Sequence, residues 1–371
     1  MKKIGIITYY YNSINYGGVL QAYALTKVLQ DLGYNAEQIC YDANYRDNSY
    51  ERKITIKSIL KKIIYKYVDR KLKKRYLKFS QFRNEKIKHS NVIYNSHNIE
   101  ESNCNYEIFV TGSDQVWNLK WLHSAYFLDF VKNKKKVSYA ASLGKKFFSD
   151  DELDYYKKKL KDFDAISLRE KEGLDYIQKV VSVPVVQTLD PTLLLPVNEW
   201  KRLARQADRE NNFEKYMFCY FIGDDIKVRK LATKYAKSRN LKIINLPHAA
   251  GFNFSDVFFG NKKVYNAGPC EFIDLIKNAE VIMTDSFHCC VFANIFKKDF
   301  WVFDRVGKRD MNTRIYSLLD LFDNTNRFCD SAEKRTIKYM SAENMDCCEN
   351  EQVYFLQMKE ESIEFIKKYI N

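Results

Sequence analysis

The sequence predicts an α/β protein in which two Rossmann-like, doubly wound domains face a cleft. Three observations indicate this fold class. Short apolar strands alternate with amphipathic helices from the N-terminus onwards, and the alternation restarts in the second half of the chain. Three of the five prolines, Pro184, Pro191 and Pro196, cluster between the two runs. A chain of 371 residues is long enough for two domains that each bury a core.

The proline cluster sets the predicted domain boundaries. We predict an N-terminal Rossmann-like domain over residues 1–190 and a C-terminal one over 191–350. A basic helical insertion is expected at about 50–90, and a terminal helix with an apolar stripe over 351–371.

The first elements form a strand–helix–strand unit. KIGIITYY is an apolar strand and YNSINYGG is a turn-rich loop. The amphipathic helix VLQAYALTKVLQDLG ends at Gly33, and YNAEQICY is the next strand. This order implies a parallel sheet with right-handed crossovers. After the basic insertion, NYEIFVTGSDQVWN, KKVSYAASLG and DAISLREKEG each give a strand that delivers polar residues at its carboxyl end.

The second half repeats the pattern. KYMFCYFIG is a strand, residues 225–239 form a helix, and LKIINLP is the next strand. After KKVYNAG come the helix PCEFIDLIKNA, the strand EVIMTD, a helix from Phe287 on, and the strand FWVF. Ligands of such sheets bind beyond the carboxyl ends of the strands, where the polar loops of this chain fall.

The net charge of +14 is concentrated in one segment. Residues 52–88 hold 15 Lys or Arg against Asp69 and Glu85, which gives 15 − 2 = +13. Within this segment apolar residues recur at helical spacing: Ile56, Ile59, Leu60, Ile63, Ile64, Tyr67 and Val68. Two interpretations stay open: a basic amphipathic helix that meets an anionic membrane surface or a phosphate-bearing partner, or a solvated outer helix that packs on its domain. Nucleic acid is not expected as a partner, since no reading module accompanies the patch.

Composition and cysteine usage predict a cytoplasmic protein. Hydrophobic residues make up 46% and charged residues 29%, which is typical of a globular chain. The N-terminus lacks a secretory h-region, and no stretch has the length of a membrane span. The nine cysteines include the neighbours Cys289-Cys290 and Cys347-Cys348 but no CxxC pair, so free thiols are expected. A peripheral position at the inner face of the membrane is compatible with the basic segment.

One histidine lies where a strand gives way to a helix. In VIMTDSFHCCVFANIF, His288 and Ser286 fall at a helix N-terminus, which suits an anion, and Asp285 is a candidate N-cap. The alternative is a capped helix in which His288 is only packed or solvated. The turn with Asn15, Gly17 and Gly18 allows close backbone approach to a ligand, although it is also a plain βα turn.

Several common site motifs are absent. There is no GxGxxG after the first strand and no P-loop. No metal site is expected, because no His/Cys/Asp spacing resembles a zinc site and Asp114, Asp190 and Asp285 are scattered along the chain.

Arginines follow several predicted strands. Arg169 comes after the apolar AISL run, and Arg305, Arg309 and Arg314, together with Lys308, follow FWVF. Because arginine binds phosphate and carboxylate in bidentate fashion, such loops suit a small dianion. A solvent-facing basic loop is the alternative.

Six motifs together carry a family resemblance. NYGGVLQAYAL, VTGSDQVWN, VSYAASLG, SLREKEG, LDPTLLL and TDSFHCCVFANIF occur in an order and spacing that resembles the polysaccharide pyruvyl transferase family. The resemblance runs from Ile4 to the loop around Arg314 and leaves out the basic insertion and the C-terminal tail. It implies a glycosyltransferase-B-like shape and maps the functional histidine of the family onto His288 and its strand-end arginine onto Arg169. Where other branches often have arginine two residues before the histidine, this chain has Ser286.

The resemblance implies an enzyme that transfers the pyruvyl group of phosphoenolpyruvate to two hydroxyls of a sugar. A cyclic ketal forms and phosphate leaves, with phosphoenolpyruvate as the donor substrate and no cofactor. The expected acceptor is a surface polysaccharide or its lipid-diphosphate-linked precursor. Such chemistry needs a general acid, cations and a base, for which His288, the arginines Arg169, Arg305, Arg309 and Arg314, and Asp114 or Asp285 are the candidates. Imidazole is suited to the acid role because it titrates near neutral pH.

Two other functions remain open from the sequence alone. One is a glycosyltransferase of the same architecture that uses a nucleotide sugar, because fold does not fix chemistry. The other is a non-catalytic scaffold of a glycan-assembly complex that docks through residues 52–88.

Overall fold

The protein, seen here in a computed structural model, contains two parallel β-sheets with helices packed against them. The structure describes residues 2–43, 56–121, 123–208, 214–248, 254–305, 313–329, 340 and 349–371. Of the residues at 56–69, 121, 254 and 349–352 it describes the backbone only.

The first sheet has seven strands in the order β3-β2-β1-β4-β5-β6-β7, all parallel. The central position of β1 with β2 on one side and β4 on the other places the loops after β1 and β4 next to each other. The strands are β1 (Lys3–Ile7), β2 (Asn35–Tyr41), β3 (His89–Tyr94), β4 (Ile108–Thr111), β5 (Lys135–Ala141), β6 (Ala165–Leu168) and β7 (Val185–Gln187).

The second sheet has six parallel strands in the order β10-β9-β8-β11-β12-β13. Here too the first strand in sequence is central, and the switch point lies between β8 and β11. The strands are β8 (Tyr216–Tyr220), β9 (Lys242–Asn245), β10 (Lys262–Lys263), β11 (Val281–Thr284), β12 (Asp299–Phe303) and β13 (Phe328–Cys329).

Helices connect the strands and cover the sheets. In the described part of the chain the α-helices are α1 (Tyr16–Asp31), α2 (Ile56–Lys86), α3 (Asp150–Leu160), α4 (Leu174–Gln178), α5 (Pro191–Leu194), α6 (Val197–Ala204), α7 (Ile226–Ser238), α8 (Phe254–Val257), α9 (Pro269–Lys277), α10 (Phe287–Ile295), α11 (Thr313–Leu321) and α12 (Glu349–Tyr369). The alternation of parallel strands with these helices confirms the predicted α/β class of two Rossmann-like units.

Helix α1 illustrates how local sequence sets an element. The Asn15 side chain caps its N-terminus by accepting from the Gly18 amide at 3.3 Å. At the other end Gly33, with φ +90°, follows the C-cap Leu32, as the sequence predicts. The helix is buried almost throughout. Tyr16 at its start packs on Phe272 of α9 and donates a hydrogen bond to the Ala267 carbonyl at 2.8 Å. It therefore joins the first sheet to the second unit.

The C-terminal half of the long basic helix α2 packs against α1 and against the second unit. Arg75 is fully buried and donates to the carbonyls of Pro247 and Val264 at 3.2 and 3.1 Å. Lys78 pairs with Glu271 at 2.6 Å, and Phe79 packs against Tyr16. Residues 52–55 and the side chains of the predicted apolar stripe, Ile56 to Val68, lie outside the described part.

Helix α12 packs on the first sheet's side of the molecule. Ser362 accepts a hydrogen bond from the Leu189 amide at 2.9 Å, and Phe365, Ile366 and Ile370 are buried in the core. The sequence pattern predicts this terminal helix, and the apolar residues of its C-terminal half form the buried face, whereas Val353 and Leu356 are exposed.

None of the helices in the described part is both long and apolar enough to cross a membrane. The cysteines that the structure describes are free thiols, whereas Cys347 and Cys348 lie outside it.

Candidate active site

The carboxyl ends of the strands from both sheets meet at a cavity of about 150 Å³. Because each sheet is parallel, the loops after β1, β4, β8, β9, β11 and β12 all open towards it. Its described lining residues are Ile14, Asn15, Asp114, Gln115, Tyr220, Ile222, His248, Ser286, Phe287, His288, Arg305 and Arg314. Six of the residues singled out in the sequence thus come together in one place, from segments that lie up to 299 residues apart (Asn15 and Arg314).

His288 lies in the first turn of α10 and is 5% exposed. Its Nε2 is 3.5 Å from Asp190 Oδ2 and makes no hydrogen bond within the described part of the chain. On its other side the ring lies against the start of α1, since a methyl group added at Gly17 would be 2.0 Å from Nδ1. The imidazole is therefore held between a carboxylate and a helix that lacks a side chain at the contact.

Asp190 connects the histidine to an arginine. Its Oδ2 accepts a hydrogen bond from Arg169 Nη1 at 2.9 Å, and its Oδ1 accepts from the Thr192 hydroxyl at 2.6 Å. Burial alone would raise the pKa of this carboxyl, but His288 and Arg169 outweigh burial and hold the pKa well below its usual range. Asp190 is thus a fixed negative charge beside the imidazole.

Arg169 follows β6 and is surrounded by carboxylates. It contacts Glu170 at 3.2 Å and lies 3.7 Å from Asp114, in addition to its bond to Asp190. Burial opposes the guanidinium charge, but these three carboxylates raise the pKa of Arg169 above its ordinary value. Its Cζ also stacks 4.3 Å from the centroid of the Phe287 ring. Arg169 Nη2 has no hydrogen-bond partner among the described residues.

Arg314 lies at the start of α11 and is buried among both arginines and carboxylates. Burial, reinforced by Arg169 and Arg305, lowers the pKa of Arg314 to about 10 despite the nearby Asp114. Its Nη1 lies 3.4 Å from Asp114 Oδ1. When the side-chain amide of Gln115 is oriented with its oxygen towards Arg314, that oxygen accepts a hydrogen bond from Nη1 at 2.6 Å. Arg314 Nε has no partner in the described part. A buried cation in this state favours an added anion.

Asp285 corrects one prediction. The N-cap of α10 is Ser286, which makes no side-chain capping bond, so Asp285 is not the cap. Instead the Asp285 carboxylate accepts from the amides of Ile222 and Gly223, both at 2.7 Å. The loop after β8 is close enough to turn this carboxylate away from its own helix. The Asp285 carbonyl in turn accepts from Arg305 at 2.9 Å and holds that arginine at the cavity.

The remaining predicted residues fall into four groups. Asn15 and Ser286 line the cavity, whereas Gly18 does not line it and packs instead under the Tyr9 carbonyl. Gly17 contacts the histidine ring, as described above. Arg309 and Lys308 lie outside the described residues.

Two residues of the site were missed or undervalued in the sequence. In the sequence Asp190 is an isolated acidic residue, because its neighbours His288 and Arg169 are distant along the chain. His248 lines the cavity just after β9, at the kind of strand end where the other candidates were found. Burial lowers the pKa of His248, and its Nδ1 has no partner within the described residues.

Across the described ranges the structure contains no group of three or more His, Cys, Asp or Glu side chains placed to hold a metal ion. The arrangement can bind a small anion through Arg305, Arg314 and the N-terminus of α10. It can also move a proton at the imidazole of His288.

The fold and the cavity define a two-domain α/β protein with a cationic, histidine-containing site in its interdomain cleft. The model of the polysaccharide pyruvyl transferase family matches residues 15–305, which is most of the chain. The protein therefore belongs to the polysaccharide pyruvyl transferase family, as the motif resemblance predicts. A comparison with curated proteins gave no match.

Several solved structures are similar to this chain. UDP-GlcNAc 2-epimerase from Methanocaldococcus jannaschii is 13% identical, with 99% of each chain covered and a TM-score of 0.54. UDP-GlcNAc 2-epimerase from Neisseria meningitidis, bound to UDP-GlcNAc, is 10% identical over 99% of this chain and 100% of that one, with a TM-score of 0.47. The Escherichia coli ADP-heptose lps heptosyltransferase II is 11% identical over 96% and 99%, with a TM-score of 0.38. At these identities the similarity concerns the glycosyltransferase-B-like fold alone.

Proposed function

We propose that this transferase uses phosphoenolpyruvate to form a cyclic pyruvyl ketal on two hydroxyls of a saccharide. The observation that carries the proposal is that His288 shares one small cavity with Arg305 and Arg314. A donor with a phosphate and a carboxylate needs cations, and its enol ether needs a proton at the methylene carbon. Membership of the family supports the same reaction.

The proton balance assigns roles to the residues. The acid protonates the methylene carbon, which becomes a methyl group and leaves an oxocarbenium-like centre at C2. One hydroxyl adds to C2, the C2–O bond to phosphate breaks, and the second hydroxyl adds in its place. Of the two hydroxyl protons, one balances the proton given to carbon and the other leaves with phosphate. His288 is the proposed acid, and the anionic Asp190 at its Nε2 stabilises the charged ring until the proton moves.

The base must accept a hydroxyl proton at the cavity. Asp114 lines the cavity and is the stronger candidate. Asp285 accepts two backbone hydrogen bonds at 2.7 Å, which occupy both of its oxygens. We therefore assign Asp285 to holding the loop after β8 and Arg305 in place.

A product assay tests this function. Purified full-length protein is incubated with phosphoenolpyruvate and a panel of saccharides and lipid-linked saccharides, and phosphate release and saccharide mass are followed. The proposal expects one phosphate released for each pyruvyl group gained. Mass gain from a nucleotide sugar, with no phosphate released from phosphoenolpyruvate, would favour the glycosyltransferase alternative instead.

A binding assay separates the two donors without an acceptor. Phosphoenolpyruvate should raise the unfolding midpoint, because a ligand at about 100 times its Kd stabilises the folded state by about 2.7 kcal/mol. Nucleotide sugars should leave the midpoint unchanged. The reverse pattern would contradict the donor assignment.

The acceptor proposal extends to the membrane. If the saccharide is carried on a lipid diphosphate, helix α2 would bring the enzyme to an anionic surface through exposed cations such as Arg70 and Lys71. Each such residue contributes about 1 kcal/mol near an anionic surface, so Arg70→Glu with Lys71→Glu should weaken binding to phosphatidylserine vesicles at least ~10-fold. Vesicle binding that does not change with the salt concentration or with the content of anionic lipid would contradict the proposal.

A further inference from the structure

We propose that a second cavity in the same cleft binds the acceptor saccharide as a neutral, hydroxyl-rich ligand. This inference rests on the proposed function. The cavity measures about 240 Å³ and lies between the ends of β6 and β7 on one side and helices α11 and α12 on the other. No residue of it was singled out in the sequence as an acceptor contact.

The two cavities share a wall. Phe287 and Arg314 line both of them. Arg169 stacks on the Phe287 ring at 4.3 Å, and Arg314 lies 5.7 Å from the same ring. A ligand in the second cavity therefore ends next to the arginines that would hold the donor. For transfer, the two acceptor hydroxyls have to extend past Phe287 and Arg314 to reach C2 of the donor in the first cavity.

The charge of the two cavities differs. The described residues that line the second cavity include the cations Arg169, Lys171 and Arg314 and the carboxylates Glu172, Asp190 and Asp320. These charges are equal in number. The first cavity has Arg305 and Arg314 against Asp114 alone. A dianion is therefore favoured in the first cavity, and a neutral ligand is favoured in the second.

The outer part of the second cavity has the side chains that sugars need. Tyr316 on α11 is 42% exposed and Tyr354 on α12 is 44% exposed, and both line the cavity. Aromatic faces can pack on the C–H face of a pyranose ring, while phenol, amide and carboxylate groups hydrogen-bond its hydroxyls. Gln187 supplies an amide, Asp320 a carboxylate and Thr325 a hydroxyl group. A mixed lining of this type is typical of a small-molecule site.

Both units of the protein contribute to the cavity. Ser317 on α11 donates a hydrogen bond to Glu172 Oε2 at 2.9 Å, which joins the second unit to the loop after β6. An acceptor in the cavity would contact the same two units as the donor. These contacts would fix its position relative to the donor.

The location can be tested by photolabelling. Diazirine-bearing methyl glycosides of galactose, glucose, mannose and N-acetylglucosamine are irradiated with the full-length protein, and the labelled peptides are identified by mass spectrometry. We expect label on the peptides that carry Tyr316 or Tyr354, and we expect the unmodified glycoside, but not UDP, to compete. Label elsewhere, no competable label across the panel, or competition by UDP would overturn the saccharide assignment.

The kinetic test uses matched tyrosines. Tyr354→Ala and Tyr316→Ala should raise the acceptor KM about threefold to tenfold and leave the phosphoenolpyruvate KM unchanged. Tyr76→Ala, which removes an exposed tyrosine from α2, is the control and should change neither constant. Circular dichroism and the unfolding midpoint verify that the variants are folded.

The outcomes separate this inference from the proposed function. Competable label at Tyr316 or Tyr354 without any turnover of phosphoenolpyruvate would keep the saccharide site and overturn the ketal transferase. Turnover with an unchanged acceptor KM in both tyrosine variants would keep the transferase and overturn the site.

Discussion

At the scale of single residues, the imidazole of His288 is positioned by what surrounds it. Asp190 faces Nε2 at 3.5 Å, and the bare α-carbon of Gly17 leaves just enough room for the other side of the ring. The nitrogen beside Gly17, Nδ1, is the one that Asp190 does not contact. In our account this nitrogen delivers the proton.

Replacing the histidine tests its role in proton transfer. His288→Ala should lower turnover at least ~100-fold, the usual effect of losing a general acid, while the protein stays folded. His97→Ala, at an exposed turn, is the matched control and should keep wild-type turnover. Near-wild-type turnover in His288→Ala would remove this residue from the mechanism.

Adding one methyl group tests the contact with Gly17. In Gly17→Ala the new carbon would lie 2.0 Å from Nδ1, so the ring has to move. We expect at least ~10-fold lower turnover and a loss of about 1–3 kcal/mol in the free energy of unfolding. The stability loss should vanish when Gly17→Ala is combined with His288→Ala, which removes the ring. If the stability losses of the two single variants add up in the double variant, the His288 ring is not the group that Gly17 accommodates.

The fixed charge of Asp190 predicts a pH dependence. Because the folded-state pKa of Asp190 is well below its unfolded value of about 3.9, its charge stabilises the fold above that pH, and this contribution disappears as the pH falls towards the folded-state pKa. Asp190→Asn should therefore reduce the free energy of unfolding by about 3 kcal/mol at pH 7. This difference in stability from the wild type should become smaller below about pH 4. Urea unfolding at several pH values measures this.

The control for this prediction is Asp129→Asn, which removes the surface partner of Lys159. We expect it to change stability by less than about 0.5 kcal/mol at either pH. A difference between Asp190→Asn and wild type that does not depend on pH would contradict the assigned charge.

Sequence reasoning identified site residues where the chemistry is local. His288, Ser286 and the strand-end arginines stand out because strand ends and helix starts can be recognised in the sequence. Asp190 could not be assigned as a partner of His288, since the two are joined only by the fold. Asp285 is not the cap that the sequence predicts, because the amides that bind it belong to a loop more than 60 residues away.

At the scale of elements, α2 belongs to the first unit in sequence and packs on both units. Arg75 crosses between them and donates to two buried carbonyls, those of Pro247 and Val264. Pro247 directly precedes His248, a lining residue of the active-site cavity. The helix therefore also supports the loop after β9.

Truncating this arginine should loosen that junction. Arg75→Ala leaves the two carbonyls unpaired and should reduce the free energy of unfolding by about 2–4 kcal/mol in chemical denaturation. Arg70 precedes Arg75 in the same helix and is exposed. Arg70→Ala should reduce the free energy of unfolding by less than about 0.5 kcal/mol. Equal effects of the two substitutions would contradict the packing of α2 described here.

Long periodic elements were predictable and short ones were not. The unit β1–α1–β2, the strands β8 and β11, and the helices α9 and α10 lie where the apolar pattern places them. Strands β7 and β13 have three and two residues, too few to show an alternation, and they exist because neighbouring strands offer them hydrogen bonds. The basic composition of α2 gave no sign that one of its arginines, Arg75, is fully buried.

At the scale of the whole molecule, two parallel sheets turn their carboxyl ends towards one cleft. The first cavity collects cations and the imidazole, and the second holds balanced charges with tyrosines at its edge. This division suits a charged donor and a neutral acceptor that meet at Phe287 and Arg314. The fold class followed from the strand–helix alternation, whereas the pairing of the two cavities required the three-dimensional arrangement.

The most direct measurement is a crystal structure of the full-length protein soaked with phosphoenolpyruvate. Our account predicts that the phosphate and carboxylate contact Arg305 and Arg314 and that the methylene carbon lies next to Nδ1 of His288. Phosphoenolpyruvate bound outside this cavity, or bound with its methylene carbon remote from the ring, would contradict it.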